Sequence, residues 1–175
     1  MPKSSFKQIE EDEKKVIKLL LEDSRQSPNE IAKKLGFSRQ KAWKIIKKIE
    51  KNKAIWGYTC VIDESNFNRN IYFALSKVKA PIFERVDDII KSVQEDTEAM
   101  MKIGLLGSYY INGVYDWILM FSAEDVRKAK KFCAHIQNQY MENLERIDLM
   151  ECIFPLIKYG KLNPNIEGLK EFAII

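Results

Sequence analysis

The chain has 175 residues, 46% of them hydrophobic and 31% charged, a balance that fits one generous domain or two small ones and excludes a disordered protein. No apolar run reaches the roughly 18–20 residues that a membrane helix needs, and Met1 to Phe6 lacks the apolar core of a secretory signal, so the expected place is the cytoplasm, with no membrane partner. The net charge of +4 hides a split: residues 1–58 carry 15 Lys and Arg against 8 Asp and Glu, and the remainder carries 14 against 17.

A basic third joined to an acidic remainder predicts two parts with different partners, a polyanion for the first. In chain order, Val16, Ile17, Leu20 and Leu21 recur at helical spacing and predict a helix over Glu10–Asp23. Acidic residues 10–13 crowd its first turn and oppose the positive end of its dipole. The next start signal is complete. Ser27 caps, Pro28 fits the first helical position, and Glu30 closes a capping box. Ile31, Ala32 and Leu35 form a short apolar face, Gly36 permits a left-handed turn, and Ser38 caps again. A short helix, a Gly-containing break and a newly capped helix form a helix-turn-helix pattern.

The third helix is expected from Arg39 to about Lys51. At 100° per residue, Ala42, Ile45, Ile46 and Ile49 share the packed face. Gln40, Lys44, Lys47 and Lys51 share the opposite face, with Lys41 and Lys48 flanking and Trp43 at the border. A helix is the rod that fits a DNA major groove, and neutralised phosphates supply most of the affinity. Arg39, Gln40, Lys41 and Lys44 lie in the half that usually faces bases, whereas Lys47, Lys48 and Lys51 suit phosphates. The candidate DNA-contacting set is completed by Ser27, Ser38 and Trp43. Asn52 is expected to end the helix left-handed. Residues 54–56 and 58–62 read as two short strands around Gly57, a small wing with Trp56 and Tyr58 as anchors.

Residues 63–70 read as a linker and Ile71–Val78 as a strand. Pro81 precedes a helical pattern through Phe83, Val86, Ile89, Ile90 and Val93. Strands are expected over 100–110 and 115–121, joined by a tight Asn112-Gly113 turn. A helix over 123–142 and a strand over 148–157 complete βαββαβ, an α+β, ferredoxin-like order. Cys60, Cys133 and Cys152 are odd in number and widely spaced, which predicts buried structural thiols and neither a disulfide framework nor a zinc site. His135 is the lone histidine and reads as solvated surface, leaving little for histidine catalysis or a transition-metal site.

Two stretches resemble the Lrp/AsnC, or feast/famine, regulators. One is Ser27–Ser38 (SPNEIAKKLGFS), followed by Trp43, Ile46, Ile49-Glu50 and Ile55–Thr59 (IWGYT). The other is Asn112–Leu119 (NGVYDWIL), like the family's Gly-x-aromatic-Asp followed by an apolar strand. The resemblance covers about residues 9–158. It implies a winged helix-turn-helix over residues 1–62, a linker over 63–70, a ligand-sensing and oligomerisation domain of the RAM type over 71–160, and a tail over 161–175 without a counterpart. It further implies a sequence-specific transcription regulator, not an enzyme, whose partners are double-stranded DNA and further copies of itself, as a homodimer or octamer. No resident cofactor is implied; an amino-acid effector is, with Gly113, Tyr115 and Asp116 as its candidate contacts. The alternative roles for those residues are a tight turn for Gly113 and hairpin capping for Asp116. The sequence departs from the family at Lys53, where glycine is usual, and at Ile45, where a basic residue is.

Two other functions fit the same chain. A chromatin-like protein that coats DNA with little preference would also carry a lysine-rich helix. Sirohaem decarboxylases resemble this family in both domains, but carry paired arginines at the wing and a His-Asn-Tyr segment before the hairpin. The corresponding segments here are Ile55–Tyr58 and Ser108–Tyr110, without either feature.

Overall fold

A computed structural model describes residues 10–79, 87, 90, 91, 95, 104–140 and 143–172. The chain divides into two units, one ending at Cys60 and the other beginning at Val61.

The first unit holds α1 (Glu11–Glu22), α2 (Pro28–Leu35) and α3 (Arg39–Lys51). Local chemistry sets their ends. Glu10 and Glu13 form a capping box at α1. At α2 the Glu30 amide donates to Ser27 Oγ (3.3 Å) and the Ser27 amide donates to Glu30 Oε2 (2.7 Å). Gly36 ends α2 at φ 67°, a left-handed conformation that costs glycine nothing. Ser38 Oγ accepts the Lys41 amide and starts α3. Val16, Leu20, Ile31, Ala32, Ala42, Ile46 and Ile49 form the core, with Phe37, Ile45 and Ile55 packed around it.

Two expectations fail after α3. The left-handed residue is Lys53 (φ 57°), not Asn52, whose φ is −80°. The chain therefore places a lysine where glycine is better suited. The wing strands do not form either: residues 54–62 make no strand ladder among the described residues. A two-stranded ribbon needs an apolar face to bury, and Trp56 is 97% exposed rather than anchoring one. Tyr58 is half-exposed, its hydroxyl donating to Glu50 Oε1 (3.0 Å).

In the second unit, Glu64–Phe67 is a 3-10 turn in the stretch read as linker. It is followed by β1 (Asn70–Val78), β2 (Leu105–Tyr110), β3 (Trp117–Ala123), α4 (Val126–Gln139) and β4 (Leu144–Glu151). The antiparallel sheet runs β2-β3-β1-β4. Alternation along the central strands sends Tyr72, Ala74, Leu119 and Phe121 to one face, where Ala129, Phe132 and Ile136 of α4 cover them. Phe121 stacks on Tyr72 (5.8 Å) and Phe132 (4.3 Å). Between β1 and β2, Asp87, Ile90, Lys91 and Glu95 are helical; Pro81, Phe83, Val86, Ile89 and Val93 lie outside the described residues, as do residues 100–103 of the expected strand.

Element ends shift where distant pairing decides them. Strand β3 begins at Trp117 and ends at Ala123, where the α4 helix was expected to begin; that helix starts after Asp125, whose carboxylate accepts the Lys128 amide. The last long strand is Leu144–Glu151 rather than 148–157, because its register follows β1, Val78 opposite Leu144 and Tyr72 opposite Glu151. Beyond it, Ile157–Lys158 and Lys161–Leu162 form a small hairpin, β5 and β6, turned by Tyr159 (φ 48°) and Gly160 (φ 76°). A 3-10 turn over Ile166–Glu171 follows.

The β2–β3 connection is not the tight Asn112-Gly113 turn. That turn needs positive φ at both residues, and neither has it. The loop is instead a wide one, closed by the Ile111 amide on the Asp116 carbonyl (2.9 Å). Its base is stapled to β1: the Asp116 amide donates to the Ser76 carbonyl, and its carboxylate accepts the Val78 amide (3.0 Å) and pairs with Lys77 Nζ (3.0 Å).

Two stability outcomes follow from these contacts. Lys53→Gly removes a left-handed β-carbon penalty of roughly 1–2 kcal/mol against a glycine entropy cost of about 0.5–1 kcal/mol. The variant should therefore gain about 0.5–1 kcal/mol in urea unfolding; an unchanged midpoint contradicts this. The Val78 amide first, then Lys77, holds the Asp116 carboxyl below the usual aspartate range. Its stabilisation is thus full above the ordinary value of about 3.9 and is lost as pH falls through the lower folded value. Asp116→Ala should cost about 1.5–3 kcal/mol at pH 7, and its deficit against the parent should shrink toward pH 3. A deficit independent of pH would show that the charge is not what matters.

Candidate nucleic-acid interface

Among the described helices of the first unit, α3 sets the most cationic outward face against its buried apolar stripe. Its 13 residues span about 20 Å at 1.5 Å per residue. Burial of Ala42, Ile46 and Ile49 leaves Arg39, Gln40, Lys41, Lys44, Lys47, Lys48 and Lys51 exposed, and Trp43 half-exposed. The structure thus brings the α3 candidates onto one solvent-facing surface. Ser27 and Ser38 are also exposed, but their hydroxyl oxygens already serve as caps of α2 and α3. Each hydroxyl keeps its hydrogen and one lone pair for any contact to DNA.

The cations divide into two sets. Arg39, Lys44 and Lys51 make no ion pair among the described residues. Lys41, Lys47 and Lys48 do. Lys41 Nζ lies 2.7 Å from Asp12 Oδ2 and 4.1 Å from the centre of the Phe37 ring. Lys47 pairs with Glu50 (2.8 Å), which also accepts the Tyr58 hydroxyl; the Lys47 contact chiefly holds the Glu50 carboxyl below its ordinary range. Lys48 reaches both Glu13 (2.6 Å) and Glu10 (3.0 Å), and these partners raise its ammonium pKa. Sequence reasoning missed the partners on α1, because contacts between residues 12 and 41, or 10 and 48, leave no periodic trace. The only sequence signal was the acidic crowding of residues 10–13, which was assigned to the helix dipole alone.

In the second unit, Gly113, Tyr115 and Asp116 lie on the one β2–β3 loop. Their chemistry is already engaged. Asp116 holds Lys77 and the Val78 amide, as described. The Tyr115 hydroxyl donates to Asp148 Oδ2 (2.9 Å), and the Arg146 guanidinium lies 5.4 Å from the Tyr115 ring centre while pairing with Asp148 at 3.1 Å. A β-carbon at Gly113 would meet nothing within 4 Å, and its φ is not positive. The loop geometry therefore does not require a glycine there.

Cys60 is exposed, contrary to the buried-thiol expectation, in a segment expected as a wing strand that forms no ladder. Cys133 and Cys152 are half-buried, and burial raises both thiols, which disfavours the thiolate. His135 is exposed on α4. No described helix is long and apolar enough to cross a membrane.

Residues 13–53 match the family described as winged helix-turn-helix DNA-binding. An uncharacterized HTH-type transcriptional regulator of Pyrococcus abyssi is 30% identical over 103 residues, 59% of this chain and 69% of the relative. Among solved structures, an AsnC family transcriptional regulator from Agrobacterium tumefaciens shares the fold at a TM-score of 0.66 and 18% identity, over 89% of this chain and 97% of that one. A transcriptional regulator of Neisseria meningitidis in complex with L-Met does so at a TM-score of 0.66 and 16% identity, over 90% and 98%. The Pyrococcus relative places the chain among the HTH-type transcriptional regulators, and its helix-turn-helix and β2-β3-β1-β4 sheet units have the fold of the AsnC family structure.

Proposed function

We propose that this regulator binds specific duplex sites as a dimer or larger assembly, with α3 in the major groove and an amino acid as modulator. The observation that carries the reading is the sidedness of α3: its apolar stripe is buried and its cations face solvent together. Gln40 and Lys44, near the helix start and on its outer face, read base edges, Gln matching adenine and Lys matching guanine. Lys47, Lys48 and Lys51 neutralise phosphates. A helix-turn-helix reads few base pairs, so two copies one helical turn apart gain both affinity and palindromic specificity.

The second unit supports pairing. Its sheet is covered on one face by α4, while Phe73, Leu75, Ile118 and Met120 lie on the other with the exposed Tyr109 and Met150. An apolar sheet face that no described element covers suits a second copy. The effector reading is supported by the L-Met complex of the Neisseria relative. In this chain an amino acid would act through the Gly113–Asp116 loop, where its ammonium group would compete with Lys77 for Asp116.

Selection of bound duplexes from a random pool, with and without a mixture of amino acids, tests the reading as a whole. The expected product is a palindrome with half-sites about 10–10.5 base pairs apart, preferred over bulk DNA by roughly a thousandfold or more. Gln40→Ala or Lys44→Ala should change the preferred sequence, whereas Lys51→Gln should weaken binding to all sequences and reduce the salt slope by about 1. Enrichment of no sequence would favour the coating protein instead; identical effects of all three changes would remove the base-reading assignment; and indifference to every amino acid would remove the effector.

A further inference from the structure

The N-terminal turn of α1 lies against the cationic flank of α3. Together they line a groove of about 400 Å³ in which Glu10, Asp12 and Glu13 face Gln40, Lys41, Lys44 and Lys48. Carboxylates beside a phosphate-binding helix oppose its function by simple repulsion. Here they are also paired. Asp12 holds Lys41 at 2.7 Å, and Glu10 and Glu13 hold Lys48 at 3.0 and 2.6 Å. Glu13 has a structural task as well: its side chain is 6% exposed and one of its oxygens caps α1 through the Glu10 amide. Glu10 is the other half of the α1 capping box, an acceptor role that an amide oxygen can also fill, whereas Asp12 has no such task among its described contacts. Both are solvent-accessible, Asp12 at 37% and Glu10 at 72%.

We propose that Asp12 and Glu10 are specificity-determining residues of the DNA-reading surface: they hold Lys41 and Lys48 against α1 and so withhold two cations from the phosphates of unselected DNA. This inference rests on the DNA-binding reading above. The physical logic is a competition. Non-specific affinity comes almost wholly from phosphates neutralised by Lys and Arg. A lysine that must leave a carboxylate to reach a phosphate contributes less than a free one. On a matching site, contacts from Gln40 and Lys44 to the bases hold the helix deep enough to drive the exchange; on other DNA nothing does. The free set, Arg39, Lys44 and Lys51, then governs first encounter. Lys41 chiefly lowers the Asp12 carboxyl and Glu13 chiefly raises the Lys48 ammonium, so these contacts favour the charged forms of Asp12 and Lys48.

The test compares the full-length parent with Asp12→Asn, Glu10→Gln and Glu11→Gln, measuring affinity for an unselected duplex and for one selected by the parent, over a range of salt. Glu11 supplies the control. It carries the same charge in the same turn, yet it pairs with Lys14 on its own helix, at 2.6 Å, and not with α3. Asp12→Asn should raise affinity for unselected DNA about 1.4- to fivefold, the range for an exposed pair, and Glu10→Gln, which leaves Lys48 on Glu13, should raise it less. Asp12→Asn should steepen the log–log salt slope by up to about 0.9 for the released Lys41, and affinity for the selected duplex should rise less. Glu11→Gln should change neither quantity comparably. An equal gain in Glu11→Gln means a general field effect and overturns the proposal, as does the absence of any gain. If an α1 variant loses helicity, Lys41→Gln in the parent decides: a held Lys41 predicts little loss on unselected DNA, and a large loss overturns the proposal. Failure of the parent to retain any duplex at low salt ends the DNA-binding reading itself; binding by the parent without gain in the variants ends only this inference.

Discussion

One packing constraint orients the first unit, the burial of Ala42, Ile46 and Ile49 of α3 against Val16, Leu20 and Ile31. Side chains on a helix advance by about 100° per residue, so fixing that stripe fixes everything else on the rod. Gln40, Lys44, Lys47 and Lys51 have nowhere to point but outward. Magnitudes show which effect decides. Fully burying one isoleucine is worth about 1.5–3 kcal/mol, whereas an exposed Lys–carboxylate pair is worth about 0.2–1 kcal/mol. The apolar stripe therefore orients α3, and the pairs from Lys41 and Lys48 to α1 modulate a surface whose direction is already set.

The second unit works by a different constraint. Strand β1 is central and pairs with β3 and β4, so its register dictates which side chains meet α4 and which remain on the open face. Asp116 joins the β2–β3 loop to the end of β1, and Tyr115 joins the same loop to β4 through Asp148. The loop that family resemblance marks for an effector is thus also a mechanical junction of three strands. A ligand that altered either contact would be felt along the sheet. Charge follows the same division of labour: the basic third carries α3, and the acidic remainder carries the sheet.

Legibility in the sequence followed the range of the interactions. Helices α2 and α3 were bounded correctly because Ser27, Glu30, Gly36 and Ser38 fix their ends through contacts within a few residues. The succession of strands along the chain was legible in the sequence, but the ends of β3, α4 and β4 were not, since pairing with β1 from across the chain sets the strand ends. Asn112-Gly113 looked like a tight turn because its own chemistry favours one; the distant pull of Lys77 and Val78 on Asp116 won. Lys53 was flagged only as a departure from the family, and its left-handed φ gives that departure a structural meaning. The outward cations of α3 were legible in full. The acidic partners on α1 were not, because nothing in the spacing of residues 10–13 reveals that they fold against residues 41 and 48.

The central claim is that the outer face of α3 enters a duplex groove. Amide chemical-shift mapping of the intact protein, titrated with the duplex it selects, reads that claim residue by residue. The account predicts the largest perturbations at Arg39, Gln40, Lys44, Lys47 and Lys51, with the buried Ala42, Ile46 and Ile49 keeping their packing. Perturbations centred on the sheet unit, with α3 unmoved, would contradict it.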